Sequence, residues 1–169
     1  MKRLLVGCIS SLAILSGFAA CGNPAVLPDG GSAVCTGDYL SESAQACADR
    51  RSLGFSREFG SGTFIGFRPQ DTLSIKNGGI ADLVIQSANY SGDSAFTVTT
   101  EPATLPATIQ GNKSFFMRVV FAPTEAKLYS GKIVVQSNAA RDPSIEFEIT
   151  GCGVPQDGGT SPCYRDGGM

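Results

Sequence analysis

The residues best equipped for chemistry in this chain are its six cysteines, at positions 8, 21, 35, 47, 152 and 163 of 169, in a sequence without histidine. A thiol can attack as a nucleophile, ligate a metal, close a disulfide or carry a covalent attachment. The lack of histidine weakens the first two. It removes the usual general base, the Ser-His and Cys-His nucleophile pairs and the commonest nitrogen ligand. Spacing argues further against a metal. Zinc knuckles set two cysteines two residues apart, whereas eleven residues intervene between Cys35 and Cys47 and ten between Cys152 and Cys163. The stretch "GFSREFG" holds a serine between glycines, but it is not a Gly-x-Ser-x-Gly elbow. Asp71, Asp82, Asp93, Glu125 and Asp142 fall at turn signals. They read as solvated turn residues rather than as paired catalytic carboxylates. The two Asp-Gly-Gly segments, "DGGSAVC" and "DGGTSPC", lack the alternating acids of a calcium loop and read as glycine linkers that end at a staple. No metal and no cofactor is expected. A formal net charge of -2 argues against nucleic acid, which needs a basic face to release counterions.

Cys21 stands apart from the other five. Lys2 and Arg3 open the chain, and Leu4 to Ala20 is apolar or small, without charge, over 17 residues. A charged start, an apolar middle and small residues before a break make a secretory signal, placed at residues 1–20. The small pair Ala19-Ala20 runs directly into Cys21. This ending resembles the lipobox of bacterial lipoproteins, in which cleavage leaves the cysteine as the first mature residue. Phe18 stands where that family prefers Leu. The resemblance implies a thioether-linked diacylglycerol on Cys21 and a further acyl chain on the freed amine. Each buried methylene would contribute about 0.8 kcal/mol to membrane retention. Gly22 rather than Asp follows the cysteine, which by the same resemblance favours the outer over the inner membrane. The plainer alternative is an ordinary signal peptide with Cys21 free or disulfide-bonded.

Cys8 lies inside the signal, so Cys35, Cys47, Cys152 and Cys163 remain. An exported chain meets an oxidising compartment, and an even set of four reads as two disulfides with three connectivities to choose from. The two local pairs, Cys35–Cys47 and Cys152–Cys163, are favoured, each flanking the stretch that carries the folded core.

The elements between them are strands. "TLSIKN" sets Leu73 and Ile75 on one face, and "DLVIQS" sets Leu83 and Ile85 inward. "FTVTT" alternates Phe96 and Val98 with threonine, and "SFFMRVVFAP" aligns Phe115, Met117, Val119 and Phe121 while Arg118 points away. "YSGKIVVQS" aligns Tyr129, Ile133 and Val135; "SIEFEIT" aligns Ile145, Phe147 and Ile149. Period-two alternation makes these six half-buried strands, with a seventh in "GFSREFG" or "TFIGF". Turns are expected at Asn77-Gly78-Gly79, Ser91-Gly92-Asp93, Gly111-Asn112 and Asp142-Pro143. The one helix candidate is short, Ser41 to Asp49, with Ser41 as its cap. The expected fold is all-β: a single immunoglobulin-like sandwich of about seven strands over residues 55–153. A linker over 21–54, carrying Cys35 and Cys47, precedes it, and a glycine-rich tail over 154–169 follows. The chain has no tryptophan and no cysteine pair within the strands, which excludes an antibody-type core.

In this order, "LSIKNGGIADLVIQSANYSGDSAFTV", "TLPATIQGNKSFFMRVVFAPTEAKLYSGKIVVQSN" and "FEITGCG" resemble the ASH (Hydin-like) domain, common in bacterial surface proteins of the choice-of-anchor D type. The matching positions are Asn77, Gly79, Leu83, Ile85, Phe96, Val98, Val119, Phe121, Pro123, Tyr129, Ile133, Val135, Gly151 and Gly153, with Phe59-Gly60 and Gly66 upstream. The chain has "QGNK" where the family has Pro-Gly, and Cys152 sits inside the closing Gly-x-Gly. The resemblance covers roughly residues 56–153 and implies a non-catalytic module. Taken together, the expectation is a lipid-anchored cell-envelope protein with a binding or scaffolding domain. The membrane is met through the N-terminal lipid, another envelope protein is the partner, and nucleic acid is not. The alternatives are a small envelope hydrolase working without histidine and a purely structural lipoprotein.

If Cys21 is the anchor, Cys21→Ser releases the protein from washed membranes into the soluble fraction, read by immunoblot. Unchanged retention of that variant removes the lipid reading.

Overall fold

A computed structural model describes residues 42–55, 62–157 and 163. The signal segment, Cys21, Cys35, the first part of the linker and all of the 158–169 stretch except Cys163 lie outside the described residues. Ten strands form: β1 (Ala46–Ala48), β2 (Ser52–Gly54), β3 (Thr63–Phe64), β4 (Gln70–Asn77), β5 (Leu83–Gly92), β6 (Phe96–Glu101), β7 (Ala107–Ile109), β8 (Ser114–Phe121), β9 (Leu128–Ser137) and β10 (Ser144–Val154). They build two sheets. One has the order β1-β4-β8-β6; the other has β2-β10-β9-β5-β7, with β3 also on β10. The architecture is an all-β sandwich.

The alternation places the core. Leu73, Ile75, Phe115, Met117 and Val119 of the first sheet are fully buried, and so are Leu83, Ile85, Ile133, Phe147 and Ile149 of the second. Each stripe is one face of a strand, and the two sets of stripes face each other, which gives every strand a reason to keep its register. At one end of this core the rings gather round Phe121. Its centroid lies 4.8 Å from Phe96, 5.5 Å from Phe55 and 5.4 Å from Tyr129, the last edge-on. Gly151 makes the space, since a Cβ there would stand 2.7 Å from the Phe121 ring. The Tyr129 hydroxyl accepts from the Glu125 amide at 2.9 Å and the Thr124 amide at 3.2 Å, and donates to the Glu125 carbonyl. It pins the turn that follows Pro123 in the manner of a tyrosine corner.

Three short strands differ from the sequence reading. No helix forms over the described part of Ser41–Asp49: Ala46–Ala48 is β1, antiparallel to β4 through Ala46↔Asn77 and Ala48↔Ile75. Ala44, Ala46 and Ala48 are all buried, so their spacing of two is a strand face against the core. A helix of nine residues is marginal alone, and the strong intrinsic preference of alanine for helix loses to a ladder and a buried face. β2 pairs in parallel with β10 through Leu53↔Ile149, which moves the start of the sandwich back from residue 55 into the expected linker. β1, β2 and β7 have three residues each, too few for alternation to register. The chain therefore makes ten strands among the described residues instead of about seven. The seventh expected strand is β3, inside "TFIGF". β5 runs on to Gly92, through the segment expected to turn at Ser91.

The tail is tied back. Cys152, fully buried, is disulfide-bonded to Cys163 with Cα atoms 6.1 Å apart, and the Gln156 amide donates to the Ile65 carbonyl at 2.9 Å. Cys47 is also disulfide-bonded, to a partner outside the described residues.

At the other end of the core, Asn77 is a fully buried polar side chain with all its bonds made. Its amide nitrogen donates to the carbonyls of Ala81 at 2.8 Å and Ile109 at 2.9 Å. Its oxygen accepts from the amides of Gly79 at 3.0 Å and Gln45 at 3.3 Å. Asn77→Leu leaves those four backbone groups unpaired; it is expected to cost at least about 2 kcal/mol, since each orphaned buried group costs roughly 1–3 kcal/mol. Urea unfolding measures it, and a loss below about 0.5 kcal/mol contradicts the assignment.

Candidate functional site

A sheet edge is a row of unpaired backbone donors and acceptors, and proteins blunt such rows with short strands, lysine, proline or a bulge. Here β1, β2 and β7 are edges of three residues and β3 of two. β6 is different. It has six residues, Phe-Thr-Val-Thr-Thr-Glu, pairs with β8 on one side, and has no other strand beside it among the described residues. It contains neither lysine nor proline and is rich in β-branched residues. The Ala122 amide bonds to the Ala95 carbonyl at 2.8 Å, which sets the phase of the ladder. Odd-numbered residues direct their backbone groups to β8, and the Phe96 amide is used by the Asp93 carbonyl. Val98 and Thr100 are left to direct N–H and C=O to the open side. The outer half of β5, Ser87–Gly92, also lacks a second neighbour, but it follows a bulge between Ile85 and Ser87 that turns its edge away.

A polar corner aims β6. Between β5 and β6 the Asp93 carboxylate accepts from the Ser130 amide at 2.7 Å, and the Asp93 amide donates to the Ser130 carbonyl at 2.9 Å. The Tyr90 hydroxyl donates to the Asp93 carbonyl at 2.6 Å. The Tyr90 ring lies over Gly131, where a Cβ would stand 2.5 Å from it. Gly131 of β9 is thus kept without a side chain by an aromatic ring on the neighbouring strand.

The outer face beside β6 is equally distinctive. The register places Thr72, Arg118 and Thr99 in one row across β4, β8 and β6, and Ser74, Phe116 and Glu101 in the next. Phe116 is 42% exposed at the middle of this face. With Thr72, Thr99, Thr100, Glu101 and Arg118 it lines a shallow groove of about 290 Å³ that opens beside the free edge. Neither Arg118 nor Glu101 forms an ion pair among the described residues. The outer face of the other sheet instead carries polar pairs of its own: Lys132 meets Glu146 at 2.8 Å and Gln136 meets Ser144 at 2.9 Å.

The residues singled out by the sequence do not assemble into a catalytic set. Asp71 pairs with Arg50 at 3.0 Å, Asp142 with Arg51 at 3.8 Å and Glu125 with Lys127 at 2.9 Å, and Asp93 sits in the β5–β6 corner. Among the described residues no group of three or more His, Cys, Asp or Glu could hold a metal ion. No helix among them is long and apolar enough to cross a membrane. Cys152 and Cys163 meet in their disulfide, whereas Cys21 and Cys35 lie outside the described residues. The open edge and its face were missed. The outward alternation of Arg118 was legible, but which strand ends a sheet is a property of topology.

Burial, with the Asp93 carboxylate second, raises the pKa of the Tyr90 phenol above its ordinary value of about 10. In the unfolded chain the phenol ionises first, so above pH 10 the native state holds the extra proton. Its contribution is complete below about pH 10 and is lost as pH rises through the folded pKa. Urea midpoints are expected to fall between about pH 9 and pH 11 more steeply in the native chain than in Tyr90→Phe; equal slopes contradict this. At pH 7 Tyr90→Phe is expected to lose about 0.5–1.5 kcal/mol for the bond to Asp93.

No protein-family model matches the sequence, and no curated protein matches it. Solved structures do resemble it in fold. The ASH/PapD-like domain 7 of human CEP192 superposes with a TM-score of 0.50 at 15% identity, covering 72% of this chain and 92% of that one. The VesB protease of Vibrio cholerae gives 0.48 at 14% identity, over 63% of this chain but only 31% of the protease. A protein of unknown function from Porphyromonas gingivalis W83 gives 0.47 at 13%, over 69% of this chain and 49% of that one. On the superposition with the CEP192 domain, the described sandwich has the immunoglobulin-like fold of an ASH/PapD-like domain.

Proposed function

We propose that the chain is a lipid-anchored cell-envelope protein whose sandwich binds or scaffolds another envelope protein by accepting an extended segment along β6. The observation that carries the reading is the open side of β6: six β-branched-rich residues, no lysine or proline, and the backbone groups of Val98 and Thr100 unpaired by any described strand. An added strand obtains main-chain hydrogen bonds there and side-chain contacts from the adjoining face. The exposed Phe116 and the uncompensated Arg118 supply those contacts beside the edge. Anchorage rests on the resemblance of Ala19-Ala20-Cys21 to a lipobox, and non-catalytic action on the ASH-like fold together with a sequence free of histidine.

Thr100→Pro tests the edge. The Thr100 amide faces away from β8, so proline there removes a docking donor without removing a ladder bond. Cross-linking of the tagged full chain in intact cells, read by mass spectrometry, is expected to capture a recurrent envelope protein. That capture is expected to be lost in Thr100→Pro with little change in thermal midpoint. Thr99→Pro, whose amide belongs to the β8 ladder, is expected to destabilise the domain by about 1–3 kcal/mol through the carbonyl it leaves unpaired. Capture that survives Thr100→Pro overturns the edge as the binding surface.

A further inference from the structure

The edge has a self-complementary pattern, and we propose that β6 pairs antiparallel with β6 of a second copy about a two-fold axis at Thr99, joining two four-stranded sheets into one of eight. The inference rests on the reading of β6 as a strand-accepting edge and adds a second copy of this chain as an occupant of it. Val98 and Thr100 are the residues whose N–H and C=O both face the edge unpaired, and they flank Thr99 symmetrically. A two-fold at Thr99 sets Val98 of each copy opposite Thr100 of the other, so all four donors and all four acceptors are used. Shifting the centre by one residue on either side leaves part of this set unpaired or brings in Pro102, which has no donor.

Side chains agree on both faces. On the inner face Val98 is only partly buried against the core, and Thr100 of the second copy covers it. On the outer face Thr97 of one copy stands opposite Glu101 of the other. Each Glu101 then lies one row along and two strands across from Arg118 of the opposite copy, because Arg118 shares a row with Thr99 and Val120 with Thr97. Among the described residues Arg118 and Glu101 have no ion-pair partner; both lie on their own copy's side of the axis, and the pairing sets Glu101 opposite Thr97, so no like charges face each other directly across it. A like-charged or uniformly charged edge would repel its own copy. Six residues a side make an interface well below the roughly 1,200–2,000 Å² of a stable complex. The pairing is therefore weak in dilute solution and favoured by the high effective concentration of chains held on one surface.

Cross-linking with register resolution tests it. At the axis the two Thr99 residues form a non-hydrogen-bonded pair, whose Cα separation of about 4.5 Å suits a disulfide. The full chain carrying Thr99→Cys, oxidised in intact cells, is expected to give a covalent dimer with a peptide joining the two introduced thiols. Thr97→Cys alone faces Glu101 of the other copy and is expected to give roughly tenfold less. Co-expression of Thr97→Cys with Glu101→Cys is expected to restore the link. Adding Thr100→Pro to Thr99→Cys is expected to abolish the dimer. A Thr99→Cys chain that stays monomeric, or a Thr97→Cys chain that links equally well, overturns the proposal. If the chain stays monomeric while Thr100→Pro still strips a captured partner, self-pairing falls and the edge reading stands. Capture that survives Thr100→Pro removes the edge reading itself.

Discussion

The Asn77 amide is the constraint on which one end of this sandwich depends. It lies where β4 stops, and it spends two donors and an acceptor with two partners on Ala81, Ile109, Gly79 and Gln45. Those residues belong to the turn into β5, to β7 and to the approach to β1, so one side chain sets where three segments cross between sheets. A buried amide with every bond made tolerates little displacement, because any shift strands a group in a place water does not reach. The pairing of β1 with β4 begins beside it, and β5 leaves it with Leu83 and Ile85 already turned inward. The opposite end is held by shape: the rings around Phe121, the space left by Gly151 and the corner made by Tyr129.

Much of this fold was legible because strands with one buried face write their pattern into the sequence. Phe115, Met117, Val119 and Phe121 alternate without a break and are all fully buried. Three things were not legible. β1 looked helical since alanine is a good helix former, and only the ladder to β4 reveals its period of two. β2 and β7 are too short to show a period at all. The open side of β6 depends on the order of strands in the sheet, and "FTVTT" would read the same at the centre of a sheet as at its edge.

The two outer faces show how such an edge can coexist with a domain of modest charge. On the larger sheet Lys132 meets Glu146 and Gln136 meets Ser144, so that surface carries its own polar pairs. On the smaller sheet neither Arg118 nor Glu101 has an ion-pair partner among the described residues, and they stand around a half-exposed Phe116. Composition alone cannot separate these faces, since the charge balance of the chain is nearly even.

The clamp on Gln45 also has a mechanical meaning. Any pull arriving along the chain through residue 42 meets the Ala44 carbonyl, held by the Ala140 amide at 3.0 Å, before it reaches a strand. It next meets Gln45, whose carbonyl is held by the Gly78 amide at 3.0 Å and whose amide is held by Asn77. Load is thereby divided between the turn after β4 and the loop after β9, two parts of the domain in different sheets. A tether fastened in this way can tug on the body as a whole without peeling β1 from its neighbour first.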